Sequence, residues 1–188
     1  MPKCDVKLSS QNEILIKHDA LMDGYYKMQK ETKQTIIDGW LYTGDEGEID
    51  KNGFLKNTGR VKDLFKTSKG KYVAPSPIEM KLLANKNIEQ VCVVGTELPQ
   101  PIAIVVLSLR GKSKSKENLL YSLNTTLEIV NSKLDSHEKI HNFIVVPEEW
   151  TVENKLLTPT MKIKRNAIEK KYNKNYKNWY EGEKIIIF

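Results

Sequence analysis

Three short stretches of this 188-residue chain carry side chains whose types and spacing could do chemistry. Thr43-Gly44-Asp45 sets a carboxylate beside a glycine at the end of an apolar run. Such a carboxylate can accept two hydrogen bonds from a ribose diol, or it can simply cap a turn. Residues 62–71 read Lys-Asp-Leu-Phe-Lys-Thr-Ser-Lys-Gly-Lys, with Lys62, Lys66, Lys69 and Lys71 interleaved with Thr67, Ser68 and Gly70. Ammonium groups and free backbone N–H groups both suit phosphate; a solvated basic loop would have the same composition. Residues 157–165 read Leu-Thr-Pro-Thr-Met-Lys-Ile-Lys-Arg. Here a proline-bearing loop leads into a helix with Lys162 near its start. A lysine there opposes the helix dipole, so a bound anion would make sense of it, as would an ordinary surface position.

The elements that must position these groups change in texture along the chain. Residues 14–16 read as a strand after a polar turn, and 21–30 as a loop leading to a short helix. Asp38-Gly39 is a turn signal before a strand at 40–43. Asn52-Gly53 between 47–50 and 54–57 predicts a hairpin, closed by Gly59 and Arg60. The second texture starts near residues 60–62. Ser76 as cap and Pro77 at the first helical position predict a helix over 78–85. Apolar runs at 88–95, 102–109 and 143–146 predict three strands, the last stopped by Pro147. Residues 111–116 read as a polar loop. Leu119, Leu120, Leu123, Leu127, Val130 and Leu134 form a helical stripe over 117–134, and 163–176 reads as a further helix. The expected class is α+β: a small three-stranded sheet with helices over 62–188, preceded by a β-rich piece over 1–61.

Composition excludes several classes of protein. The hydrophobic fraction is 39% and the charged fraction 29%, a balance that supports a packed core. The first ten residues lack an apolar h-region, and the longest apolar run, 102–107, is too short to span a bilayer. The expectation is a soluble, cytoplasmic protein. Two cysteines, Cys4 and Cys92, make no disulfide framework, and the three histidines show no ligand spacing with them, so no metal site is expected. Cys92 reads as a small buried hydrophobe. The net charge of +6 suggests an anionic partner. The basic residues are interleaved with acids rather than striped, which argues against nucleic acid.

Taken together, residues 38–79 read DGWLYTGDEGEIDKNGFLKNTGRVKDLFKTSKGKYVAPSPIE. This stretch resembles the adenylate-forming superfamily, and looks most like its AMP-forming long-chain fatty acid–CoA ligases. Gly24-Tyr25-Tyr26-Lys27 resembles the family's stretch just upstream, and 157–165 its late lysine loop. The likeness implies an ATP-dependent ligase that joins a fatty acid to AMP and then to CoA, with Mg2+ accompanying ATP. It implies that 1–61 ends a large AMP-binding domain and that 62–188 is a mobile lid. Asp45 would hold the ribose hydroxyls and Arg60 would contact the nucleotide. Lys62 matches the hinge, where aspartate is frequent. Lys66, Ser68, Lys69 and Gly70 match the loop that faces the site during thioester formation. Lys162 matches the catalytic lysine of adenylation; the family's usual pattern has glycine before it, where this chain has Met161.

No Ser/Thr/Gly-rich phosphate loop occurs in these residues, and nothing matches the family's adenine pocket, magnesium-holding acid or acyl tunnel. The chain alone is therefore expected to be inactive, with no tightly bound cofactor, its partners being fatty acid, ATP, CoA and a large N-terminal domain. The full-length enzyme could also touch a membrane peripherally. A fatty acyl-AMP ligase or a carrier-protein adenylation enzyme is the rival within the enzymes. A basic nucleic-acid module is the rival outside them.

Overall fold

Residues 91–94, Val-Cys-Val-Val, illustrate how the second part of the chain folds. Val91 and Val93 face one apolar cluster while Cys92 and Val94 face another, and all four are buried. A strand buried on both faces reads as a continuous apolar run, because side chains alternate with period two. The computed structural model describes residues 4–188 and divides into two units, Met1–Asp63 and Leu64–Phe188.

The first unit is a five-stranded antiparallel sheet. Its strands are β1 (Asp5–Leu8), β2 (Glu13–Lys17), β3 (Ile36–Ile37), β4 (Trp40–Ile49) and β5 (Leu55–Arg60), with a short helix α1 (Gln29–Thr35). The order is β1-β2-β4-β3, and β5 pairs with β4. The sequence pattern split β4 into two pieces at Gly44; in the structure one ten-residue strand runs through, with a bulge between Glu46 and Gly47. The hairpin turn is closed by Asp50, whose Oδ1 accepts from the amides of Asn52 (2.8 Å) and Phe54 (2.9 Å). Among the described residues of this unit only Ile14 and Leu15 are buried large hydrophobics.

The second unit begins after a 3-10 turn (Val61–Asp63) with a small hairpin, β6 (Phe65–Lys66) and β7 (Tyr72–Val73). It continues through α2 (Pro75–Leu82), β8 (Ile88–Val94), β9 (Ile102–Leu107), α3 (Leu109–Lys112), α4 (Lys116–Asn131) and β10 (Phe143–Val145). It closes with α5 (Arg165–Tyr172), a 3-10 turn (Asn173–Asn175), α6 (Tyr176–Tyr180) and β11 (Ile185–Ile187). The sheet order is β11-β10-β9-β8, with β8 antiparallel to β9 and the other pairs parallel. Parallel neighbours need long crossovers. One passes through α4 on the face of Val91, Val105 and Phe143; the other passes through α5 and α6 on the face of Ile104, Ile144 and Trp150.

The α+β class stands, and several local expectations are corrected. The sheet has a fourth strand, β11; three isoleucines after Lys184 are too short a run to announce a strand before β10 offers its edge. The cap of α2 is Ala74, with Pro75 at the first helical position instead of Pro77. Residues 109–112 are helical, where a strand to 109 and a loop from 111 were expected, because the Ser108 side chain accepts from Gly111 N at 3.1 Å. The last helix breaks at Asn173–Asn175 and resumes as α6, which lets Tyr172, Tyr176 and Trp179 all reach the core.

Gly95 ends β8 where no side chain fits: a Cβ there would lie 2.8 Å from Phe65 Cε2 and 2.9 Å from Pro101 Cα. Overpacking of this kind strains backbone as well as side chain, so Gly95→Ala should destabilise the chain by about 2 kcal/mol. The midpoint of urea unfolding measures it; an unchanged midpoint contradicts this packing.

Candidate functional site

Asp45 and Arg60 face each other across β4 and β5 as registered partners. Arg60 Nε lies 3.0 Å from Asp45 Oδ1, and the two side chains are 61% and 31% exposed. At that exposure the pair itself contributes little stability, and both groups remain open to a ligand. Gly44 (φ +74°) turns the strand just before Asp45, and its amide donates to Glu13 Oε1 at 2.8 Å. The Thr43 hydroxyl donates to the Ile14 carbonyl (2.8 Å) and accepts from Asp45 N (3.1 Å). The chain direction at Asp45 is thus set from both sides. Lys62 lies exposed in the 3-10 turn that ends this unit.

In the second unit, Lys66, Ser68, Lys69 and Gly70 are gathered on the tip of the β6–β7 hairpin, all exposed. Buried Thr67 closes the turn: its amide donates to the Lys71 carbonyl and its own carbonyl accepts from Gly70 N, both at 2.9 Å. The hairpin is braced from outside by Ser68 N donating to the Leu98 carbonyl (2.9 Å) and Glu97 N to the Lys66 carbonyl (3.4 Å). Gly70 has φ +77°, and a Cβ there would meet only Lys66 Cε, at 3.8 Å. Its backbone is bare to solvent and can be approached closely by a ligand. Lys66 Nζ rests 5.6 Å from the Tyr72 ring centre.

Lys162 sits on a separate turn. Thr158 N donates to the Lys162 carbonyl (2.8 Å), Lys162 N donates to Thr158 Oγ1 (3.0 Å), and Leu157 bridges Ile163. The Lys162 side chain is exposed, three residues ahead of α5. Met161 has φ +61°, the left-handed region. That geometry gives the physical reason a glycine would suit this position.

The sequence reading gave no role to Glu79 or Arg165. Arg165 Nη2 donates to both carboxylate oxygens of Glu79, at 2.8 and 3.0 Å. Both lie at the ends of the motif stretches, which was the available signal; their pairing across 86 positions was not readable. Cys92, expected as a plain buried hydrophobe, is buried and also accepts from Arg165 Nη1 at 3.2 Å. Close by in the same cluster, burial holds the Tyr176 hydroxyl well above the ordinary tyrosine range, with the Glu169 carboxylate adding to the shift.

Residues 62–184 match the model of the AMP-binding enzyme C-terminal domain. The chain belongs to this family. Among curated AMP-binding relatives, a long-chain-fatty-acid–CoA ligase of Mycobacterium tuberculosis is 28% identical over 97% of this chain and 33% of its own length. Long-chain-fatty-acid–CoA ligase 5 of Mus musculus is 32% identical over 93% of this chain and 28% of its own. The chain therefore spans about a third of the relatives it matches. Among solved structures, the adenylation domain of a carboxylate reductase from Mycobacterium chelonae superposes with a TM-score of 0.80 at 25% identity, covering 96% of this chain and 31% of that one. Among the described residues, no helix of this AMP-binding family member is long and apolar enough to cross a membrane.

Replacing Met161 by glycine should relieve the left-handed strain and raise stability by up to about 1 kcal/mol, whereas Met161→Val should lower it. Urea midpoints of both variants check this; a destabilised glycine variant contradicts the strain.

Proposed function

We propose that the chain is the C-terminal portion of an ATP-dependent, AMP-forming long-chain fatty acid–CoA ligase. What carries this reading is the match, along nearly the whole chain, to long-chain ligases three times its length. Residues 1–61 are read as the end of the AMP-binding domain. Their support is a sheet that has, among the described residues, two buried large hydrophobics, too few for an independent core. Residues 62–188 are read as the mobile lid, with Lys62 as hinge.

In the first half-reaction a fatty carboxylate oxygen bonds to the α-phosphorus of ATP, the bond to the β-phosphate breaks, and pyrophosphate leaves. Asp45 and Arg60 hold the ribose and nucleotide. Lys162 bridges the carboxylate and α-phosphate, and its fixed charge offsets the negative charge that builds in the transition state. In the second half-reaction the CoA thiol gives up its proton to solvent, its sulfur bonds to the acyl carbon, the bond from that carbon to the phosphate oxygen breaks, and AMP leaves. The exposed tip at Gly70, with Ser68, Lys66 and Lys69 beside it, offers a hydroxyl and cations to the pantetheine and phosphates of CoA. Among the described residues no cluster of three or more His, Cys, Asp or Glu side chains could hold a metal ion. Mg2+ would accompany ATP.

A second reading, adenylation with an acceptor other than CoA, is favoured by the likeness to the carboxylate reductase domain. Comparing thioester formation on CoA and on a carrier protein separates the two.

The purified chain should show no ATP- and CoA-dependent thioester formation, since these residues bring no phosphate loop or acyl tunnel to fix attack geometry. With the chain grafted in place of the matching third of the Mycobacterium tuberculosis ligase, activity should return. In that graft Lys162→Ala should slow acyl-adenylate formation by about a hundredfold. Turnover by the chain alone, or a graft indifferent to Lys162, would overturn the reading.

A further inference from the structure

The Glu79–Arg165 pair stands at the foot of the turn that carries Lys162. The two side chains are 13% and 11% exposed. Besides its two bonds to Glu79, Arg165 donates through Nη1 to the Val93 carbonyl at 2.7 Å. Glu79 Oε1 also accepts from Val93 N at 2.8 Å. One guanidinium thus ties the first residue of α5 to α2 and to the end of β8. The Lys162 turn leads directly into this anchored residue, and Lys164 N returns to the Leu156 carbonyl at 2.9 Å. The 66–71 hairpin is braced through Thr67, Leu98 and Glu97, and none of those bonds passes through Glu79 or Arg165.

We infer that Glu79 and Arg165 are positioning residues for Lys162 alone, so that the adenylation step depends on them and the thioester step does not. The positional half of this stands on geometry; the chemical half rests on the ligase reading above. A guanidinium only 11% exposed, deprived of its carboxylate, is left as an uncompensated charge, and the turn attached to it moves. A catalytic group misplaced by an ångström can cost about a hundredfold in rate. The hairpin, held by its own bonds, stays where it is.

Glu79→Gln keeps the volume and an acceptor for Val93 N but removes the charge; Arg165→Lys keeps the charge but loses the planar fork. Hydrogen exchange is measured on the 188-residue chain. In both variants the amides of 158 and 160–164 should exchange about tenfold faster or more, with 67–71 changed less than about twofold. In the graft, acyl-adenylate formation should fall by about thirty- to a hundredfold, while thioester formation from supplied acyl-AMP stays within about twofold. Equal loosening of both segments, an unchanged lysine turn, or a joint fall of both half-reactions overturns the proposal. If the unmodified graft makes no acyl-CoA, the ligase reading falls, and the exchange data still decide the positioning. If neither variant folds, the pair only holds the fold together and the proposal falls.

Discussion

The second unit depends on one contact between charges. Arg165 brings a guanidinium to the end of β8, where Glu79 from α2 meets it with both oxygens and the Val93 carbonyl with a third acceptor. Moving a carboxylate and a guanidinium out of water costs several kcal/mol per ion, and their attraction offsets this only when the remaining donors and acceptors are also satisfied. Here one residue serves both charges: Val93 N donates to Glu79 and the Val93 carbonyl accepts from Arg165. Three elements, the consecutive α2 and β8 and the distant α5, are fixed relative to one another at a single point.

That point lies where the two apolar faces of the sheet end. The clusters on either side are built from alternate residues of the same strands, so helices must cover both faces. α2 and α4 cover one, α5 and α6 the other. The ion pair joins α2 to α5 at β8, the edge strand, linking the two layers without interrupting either cluster. The exposed lysines can sit on short turns because those turns leave from anchored positions: the 66–71 tip from buried Phe65 and Val73, and the Lys162 turn from buried Leu157 and from Arg165.

The first unit follows a different economy. Its antiparallel strands bury little, and its specificity lies in backbone pairing. Asp45 and Arg60 meet because β4 and β5 are registered by the Asp50 turn and shifted by the bulge at Gly47. Gly47 leaves no space for a side chain, since a Cβ would lie 2.8 Å from Ile14 Cγ1.

Much of this was legible in the residues themselves. Period-two runs announced β8, β9 and β10, the Asn52-Gly53 turn announced its hairpin, and the leucine stripe announced α4. The candidate site groups were nominated by type and order, from Asp45 through Lys66 to Lys162, because motif residues are local in sequence. What sequence alone did not determine is whatever depends on a distant partner. β11 exists because β10 has a free edge for it. The long β4 exists because neighbouring strands hold Gly44 and the bulge in line. The Glu79–Arg165 contact joins residues whose separation no local pattern encodes, and only the tertiary fold closes that distance and makes burying the two charges worthwhile.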